Sequence, residues 1–170
     1  MGADPYWYYT KYETDLNGAL QKIRLREFQA GRYNPVIQLP DFPVTENSPT
    51  PGAQHASIEE ALIASDADGT RSILDIHRVV NEPFPLTYEE FDEALLGGSN
   101  SEILGEIFCT SFALSSSELQ TLFGTEKPTH KDLESTSNFW RVIERGTGRH
   151  IIIYEEDQPS EIFFAGYSFD

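Results

Sequence analysis

A chain of 170 residues with 39% hydrophobic and 12% aromatic residues has the length and apolar content for one domain with a real core. Its formal charge of −16 argues against nucleic acid and anionic membranes as partners, since both are held by clustered Lys and Arg. The single cysteine, Cys109, rules out an internal disulfide, and no run of about 18 apolar residues is present to span a membrane.

The sequence opens without the basic-then-apolar pattern of a secretory leader, so the expected compartment is the cytoplasm. Charge is unevenly spread. Residues 33–70 hold six acids and 79–126 hold nine, with no Lys or Arg in either stretch, and together they carry 15 of the 16 net negative charges. Such a surface either steers toward a basic protein or only keeps the chain in solution.

In chain order the first element is "PYWYYTKY", residues 5–12, whose aromatic content predicts a strand over 6–12. Tyr6, Tyr8, Thr10 and Tyr12 then face one way, and Trp7, Tyr9 and Lys11 the other. Large rings on both faces predict a strand covered on both sides. A contact between copies of the chain through Tyr6, Trp7, Tyr8, Tyr9 and Tyr12 is a second reading, and a small-ligand pocket a third. A stacking platform for single-stranded nucleic acid would need a basic groove beside the rings.

Asp15 stands as an N-cap before an apolar stripe of Leu16, Ala19, Leu20, Ile23 and Phe28, and Gly31 as the stop, predicting a helix over 16–29. Five prolines between Asn34 and Gly52 make 34–56 an irregular connection. Capping patterns at Ser57, Thr87, Ser115 and Thr129 open four further short helices. Residues 72–80 read as a strand, while 103–114 are apolar enough to be buried as either strand or helix. At the C-terminus 139–144, 149–154 and 162–169 read as a three-stranded antiparallel meander, with Glu144 and Arg149 closing the first hairpin as a cross-strand pair. The expected fold is α+β, one domain over 1–170. Its sheet is mainly antiparallel, built from the N-terminal strand and the meander, with four to five short helices.

Catalytic and metal motifs are missing. "DADGT" at 66–70 has calcium-loop character but places Ala64 at the first ligand position and Asp75 where a bidentate Glu belongs. His55, His77, His130 and His150 have no metal-ligand spacing, and Cys109 lies among apolar residues that suppress thiolate formation. No metal and no cofactor are therefore expected. One mixed cluster remains. If the first helix packs beside 72–80, then Arg26, Arg32, His55, Arg71, Asp75 and His77 form a candidate site for an anionic ligand.

"PYWYY", "REFQAGRYNP", "GAQHASIEEAL" and "DGTRSILD" resemble stretches shared by a bacterial protein family with no assigned activity. The resemblance covers about the first 80 residues, with a weaker echo at "LQTLFGTEKPT", and implies a bacterial cytosolic origin without carrying over any catalytic residue. Two functions are open. The first is a non-catalytic, regulatory or immunity-like protein that presents Glu89, Glu90, Asp92 and Glu93 to a basic partner. The second is a small enzyme or ligand-binding domain built on the Arg/His cluster.

Overall fold

A computed structural model describes residues 3–169. The ring-rich segment forms β1 (Pro5–Lys11), paired antiparallel with β5 (Gln158–Tyr167), which pairs antiparallel with β4 (Gly148–Glu155). Two further strands, β2 (Arg78–Pro83) and β3 (Thr110–Ala113), complete one sheet in the order β1-β5-β4-β3-β2, and the β2–β3 and β3–β4 pairs are parallel. The domain is α+β. Its sheet is mixed, which corrects the mainly antiparallel sheet expected from the sequence.

The correction has a definite origin. Ser137–Val142 is a 3-10 helix and not the first strand of a meander. Phe139, fully buried, packs edge-on against Phe163 and also meets Phe123 and Trp140, so this apolar run covers a sheet face instead of extending the sheet. Strand propensity reports a fit to a half-buried surface, and here the packing partner decided otherwise. The meander reduces to the β4–β5 hairpin, closed by Glu156 and Asp157 at φ 49° and 62°, the positive-φ pair that suits the twist of a two-residue turn. Glu144 and Arg149 therefore do not close a hairpin. Arg149 is buried with its guanidinium 4.3 Å from the Phe84 ring centre. The strand expected over 72–80 is also shortened, because the Ser72 side chain caps a 3-10 turn at Ile73–Asp75 and β2 starts at Arg78.

Helix starts follow the capping residues. Asp15 accepts from Gly18 N at the head of α1 (Leu16–Ala30), and Ser57 accepts from Glu60 N at the head of α2 (Ile58–Ser65). Reciprocal capping boxes at Thr87, Ser115 and Thr129 open Tyr88–Leu95 (α3), Ser116–Phe123 (α5) and His130–Glu134 (α6). The segment 103–114 turns out to be both things at once, since Leu104–Ile107 is α4 and Thr110–Ala113 is β3. α3 and α4 sit in the crossover from β2 to β3, and α5 and α6 in that from β3 to β4, the connections that parallel neighbours require.

α1 covers one face of the sheet, where Leu20 and Ile23 meet Tyr6, Tyr8, Ile162 and Phe164. On the other face Ile151, Ile153, Phe163 and Ala165 meet Leu133 and Phe139. Gly166 lies opposite Tyr6, and a Cβ there would fall 2.6 Å from the tyrosine oxygen, so the glycine makes room for the ring. β1 is an edge strand, yet Tyr6 and Tyr8 are buried and Trp7 and Tyr9 half-buried. Between Gly31 and Ile58 the chain has no helix or strand, but Phe42 packs against both Trp7 and Tyr8, tying this connection to the β1 edge. Among the described residues no helix is long and apolar enough to cross a membrane.

Candidate functional site

α1 ends in a left-handed turn. Gly31 has φ 73°, its N–H reaches Phe28 O, and Arg32 N reaches Glu27 O at 3.1 Å, the paired bonds of a Schellman stop. The turn folds Arg32 back over the last helical turn. Its guanidinium grips the Glu27 carboxylate with both forks, Nε to Oε2 at 2.6 Å and Nη2 to Oε1 at 2.9 Å. Arg26 adds a third bond, Nε to Oε1 at 2.7 Å. Glu27 is 0% exposed, and a carboxylate so buried needs this charge pairing. The carboxylate raises the Arg32 pKa, chiefly through the hydrogen bonds.

The two arginines line a cleft of about 310 Å³ at the edge of the sheet. Trp7, Tyr8 and Tyr9 of β1 form one wall, and residues 43–46 form the other. Trp7 and Tyr9 also line a larger groove of about 700 Å³ on the far face, shared with Trp140 and Tyr167. Arg26 and Arg32 belong to the cluster expected from the sequence, and Glu27 is the member that the expectation lacks. Its signal is positional: Leu20, Ile23 and Glu27 share the core-facing stripe of α1, and an acid there demands partners.

The other members of the predicted cluster go elsewhere. His55 Nδ1 lies 2.8 Å from the Tyr33 hydroxyl, which also accepts from Gln54 N. Arg71 pairs with Asp4 at 3.0 Å and donates to Gln38 O. Asp75, buried, accepts from Thr70 N at 2.8 Å and Thr70 Oγ1 at 2.7 Å. His77 is exposed, and its backbone binds Cys109 O and Gln21 Nε2. α1 does pack beside Leu74 and His77, through Arg24 and Gln21. Of these six, Arg26 and Arg32 share one carboxylate, while His55, Asp75 and Arg71 bond to Tyr33, Thr70 and Asp4.

The acidic candidates stand together on α3. Phe91 and Ala94 anchor this helix, with Phe91 packed in a cluster with Ile107 and Phe112, so Glu89, Glu90, Asp92 and Glu93 all face solvent. Glu90 also accepts from Thr87 N at 2.8 Å and belongs to the capping box. Glu89 and Glu93, four residues apart, repel each other by a few tenths of a kcal/mol, and α3 has no basic residue to relieve them. Three apolar side chains are left uncovered at the ends of the same helix: Tyr88 at 67% exposure, Leu95 at 47% and Leu96 at 83%.

Two groups with catalytic potential are held away from neutral pH. Burial, reinforced by Asp75, pushes the Cys109 thiol up to about 11. Burial, reinforced by the Arg149 guanidinium, pulls the His150 imidazole down to about 4. Among the described residues no group of three or more His, Cys, Asp or Glu side chains is placed to hold a metal ion. Comparison with protein-family models, curated proteins and solved structures gives no match, so function has to be read from these side chains.

Proposed function

We propose that this protein is a non-catalytic binding module that recognises a basic protein surface through the acidic face of α3, in a regulatory or immunity-like role. The observation that carries this reading is the pairing, on one short helix, of four exposed carboxylates with exposed Tyr88, Leu95 and Leu96. The carboxylates supply long-range steering and lose their mutual repulsion when cations approach. The apolar side chains supply burial, about 1.5–3 kcal/mol for each one fully covered. A nucleic acid partner would need clustered Lys and Arg, which this face does not have. An enzyme built on the Arg/His cluster has less support, since Asp75, His55 and Arg71 are engaged in separate bonds.

The test begins with affinity capture of the partner and continues with the purified pair. The association rate of the wild type should fall steeply with salt. The triple variant Glu89→Lys, Asp92→Lys, Glu93→Lys should slow association about tenfold or more, with the Glu90 cap left in place. Leu96→Ser should act mainly on dissociation. A partner whose binding ignores all four substitutions would overturn the proposal, as would tight, salt-sensitive binding of DNA or RNA by the wild type.

A further inference from the structure

The cleft at the β1 edge has a feature that stability does not explain. Both oxygens of Glu27 are already met by the two-pronged grip of Arg32. Arg26 is therefore a surplus cation. Its side chain is 48% exposed, it uses only Nε on Glu27, and its outer Nη1/Nη2 edge is left to the cleft. The one carboxylate and two guanidiniums of the triad carry about +1 between them, which Glu46 offsets in part from its exposed place on the rim of the cleft.

We propose that this cleft binds a small aromatic carboxylate, its anionic group on the outer fork of Arg26 and its ring against Trp7 and Tyr9. A planar guanidinium edge matches a carboxylate through two parallel N–H···O bonds. Trp7 and Tyr9, both half-buried, line this cleft as well as the separate groove on the far face, and aromatic side chains at that edge offer flat apolar surface to a ligand. A volume of about 310 Å³ lies at the small end of ligand cavities, suited to a compact molecule.

The charge selects the anion. The triad's single surplus positive charge can balance at most a monoanion, and Glu46 on the rim disfavours a dianion such as a phosphate monoester. This site rests on β1 and α1, and is independent of the acidic face on α3.

The probes are N-acetyl-tryptophan, its neutral amide and phenyl phosphate, titrated into the full chain and followed by backbone amide NMR. N-acetyl-tryptophan should bind saturably at about millimolar concentration, the range of small fragments, with shifts centred on Trp7, Tyr9 and Arg26. Arg26→Gln leaves the Arg32–Glu27 pair intact. It should weaken the acid about tenfold, to the level of the amide, while leaving the amide unchanged. Glu46→Gln, at an exposed position, should tighten the acid about two- to threefold. The proposal is overturned if the acid does not saturate by about 10 mM, beyond the range expected of such fragments. It is also overturned if acid and amide bind alike, if Arg26→Gln changes nothing, or if phenyl phosphate binds more tightly than the acid.

Discussion

His150 makes the stability of this fold sensitive to mild acid. Its imidazole is 4% exposed on β4, bonded at Nδ1 to Ser111 Oγ at 3.0 Å, and burial with the Arg149 charge lowers its pKa from the ordinary 6.5 to about 4. Above pH 6.5 the ring is neutral in both folded and unfolded chains and contributes no pH dependence. As pH falls from 6.5 toward 4 the unfolded chain takes up a proton that the folded chain refuses, so stability falls. Below about 4 both forms are protonated and the loss levels off. Each pH unit between the two values costs about 1.4 kcal/mol, which puts the whole loss at about 3 kcal/mol. His150→Asn removes the titrating ring and keeps a polar group for Ser111. Urea unfolding of wild type and variant at several pH values between about 7 and 4 cancels the carboxylates that both proteins share. The stability advantage of wild type over variant should shrink by about 3 kcal/mol across that range, with about two-thirds of it lost by pH 5. A difference that stays constant within about 0.5 kcal/mol would refute the reasoning, since it would mean that the folded chain protonates His150 as readily as the unfolded one.

Glu27→Gln removes the buried counter-charge from Arg32, whose side chain is 11% exposed, and should cost about 3 kcal/mol in urea unfolding, whereas the half-exposed Arg26→Gln should cost less than about 1 kcal/mol. The reverse order would show that the triad is not held by its buried carboxylate. Gly31 and Gly124 share a left-handed φ, 73° and 72°, but a Cβ on Gly31 would lie 2.1 Å from the Gly52 carbonyl oxygen, while one on Gly124 meets nothing within 4 Å. Gly124→Ala should therefore lose about 1 kcal/mol and Gly31→Ala at least twice that, as read by thermal unfolding, with equal losses contradicting the close approach.

The sequence by itself determined what depends on neighbouring residues. Asp15, Ser57, Thr87, Ser115 and Thr129 mark helix starts because the cap is a bond between residues two or three apart, and Gly31 and Gly124 mark stops because only glycine enters the left-handed turn without strain. The pairing of rings on both faces of β1 was likewise visible in "PYWYY", and so was the exposed acid of α3, since 79–126 contains no base to offset it. Tertiary structure alone decided the rest. "FWRVI" has the composition of a strand, but Phe139 found a sheet face to cover, and no local signal distinguishes covering a sheet from joining it. The parallel pairing of β3 with β2 and β4 depends on crossovers whose ends lie far apart in the chain. The six residues of the Arg/His cluster were neighbours only in imagination. Asp75 found its partner in its own turn, at Thr70, while His55 and Arg71 reached Tyr33, Gln38 and Asp4 in other parts of the chain. Arg26 and Arg32 converged on Glu27 because the Gly31 turn reverses the chain at the end of α1. Glu27 meets its two arginines through a local turn, but the partners of His55 and Arg71 are set by packing at long range, which residue spacing does not encode.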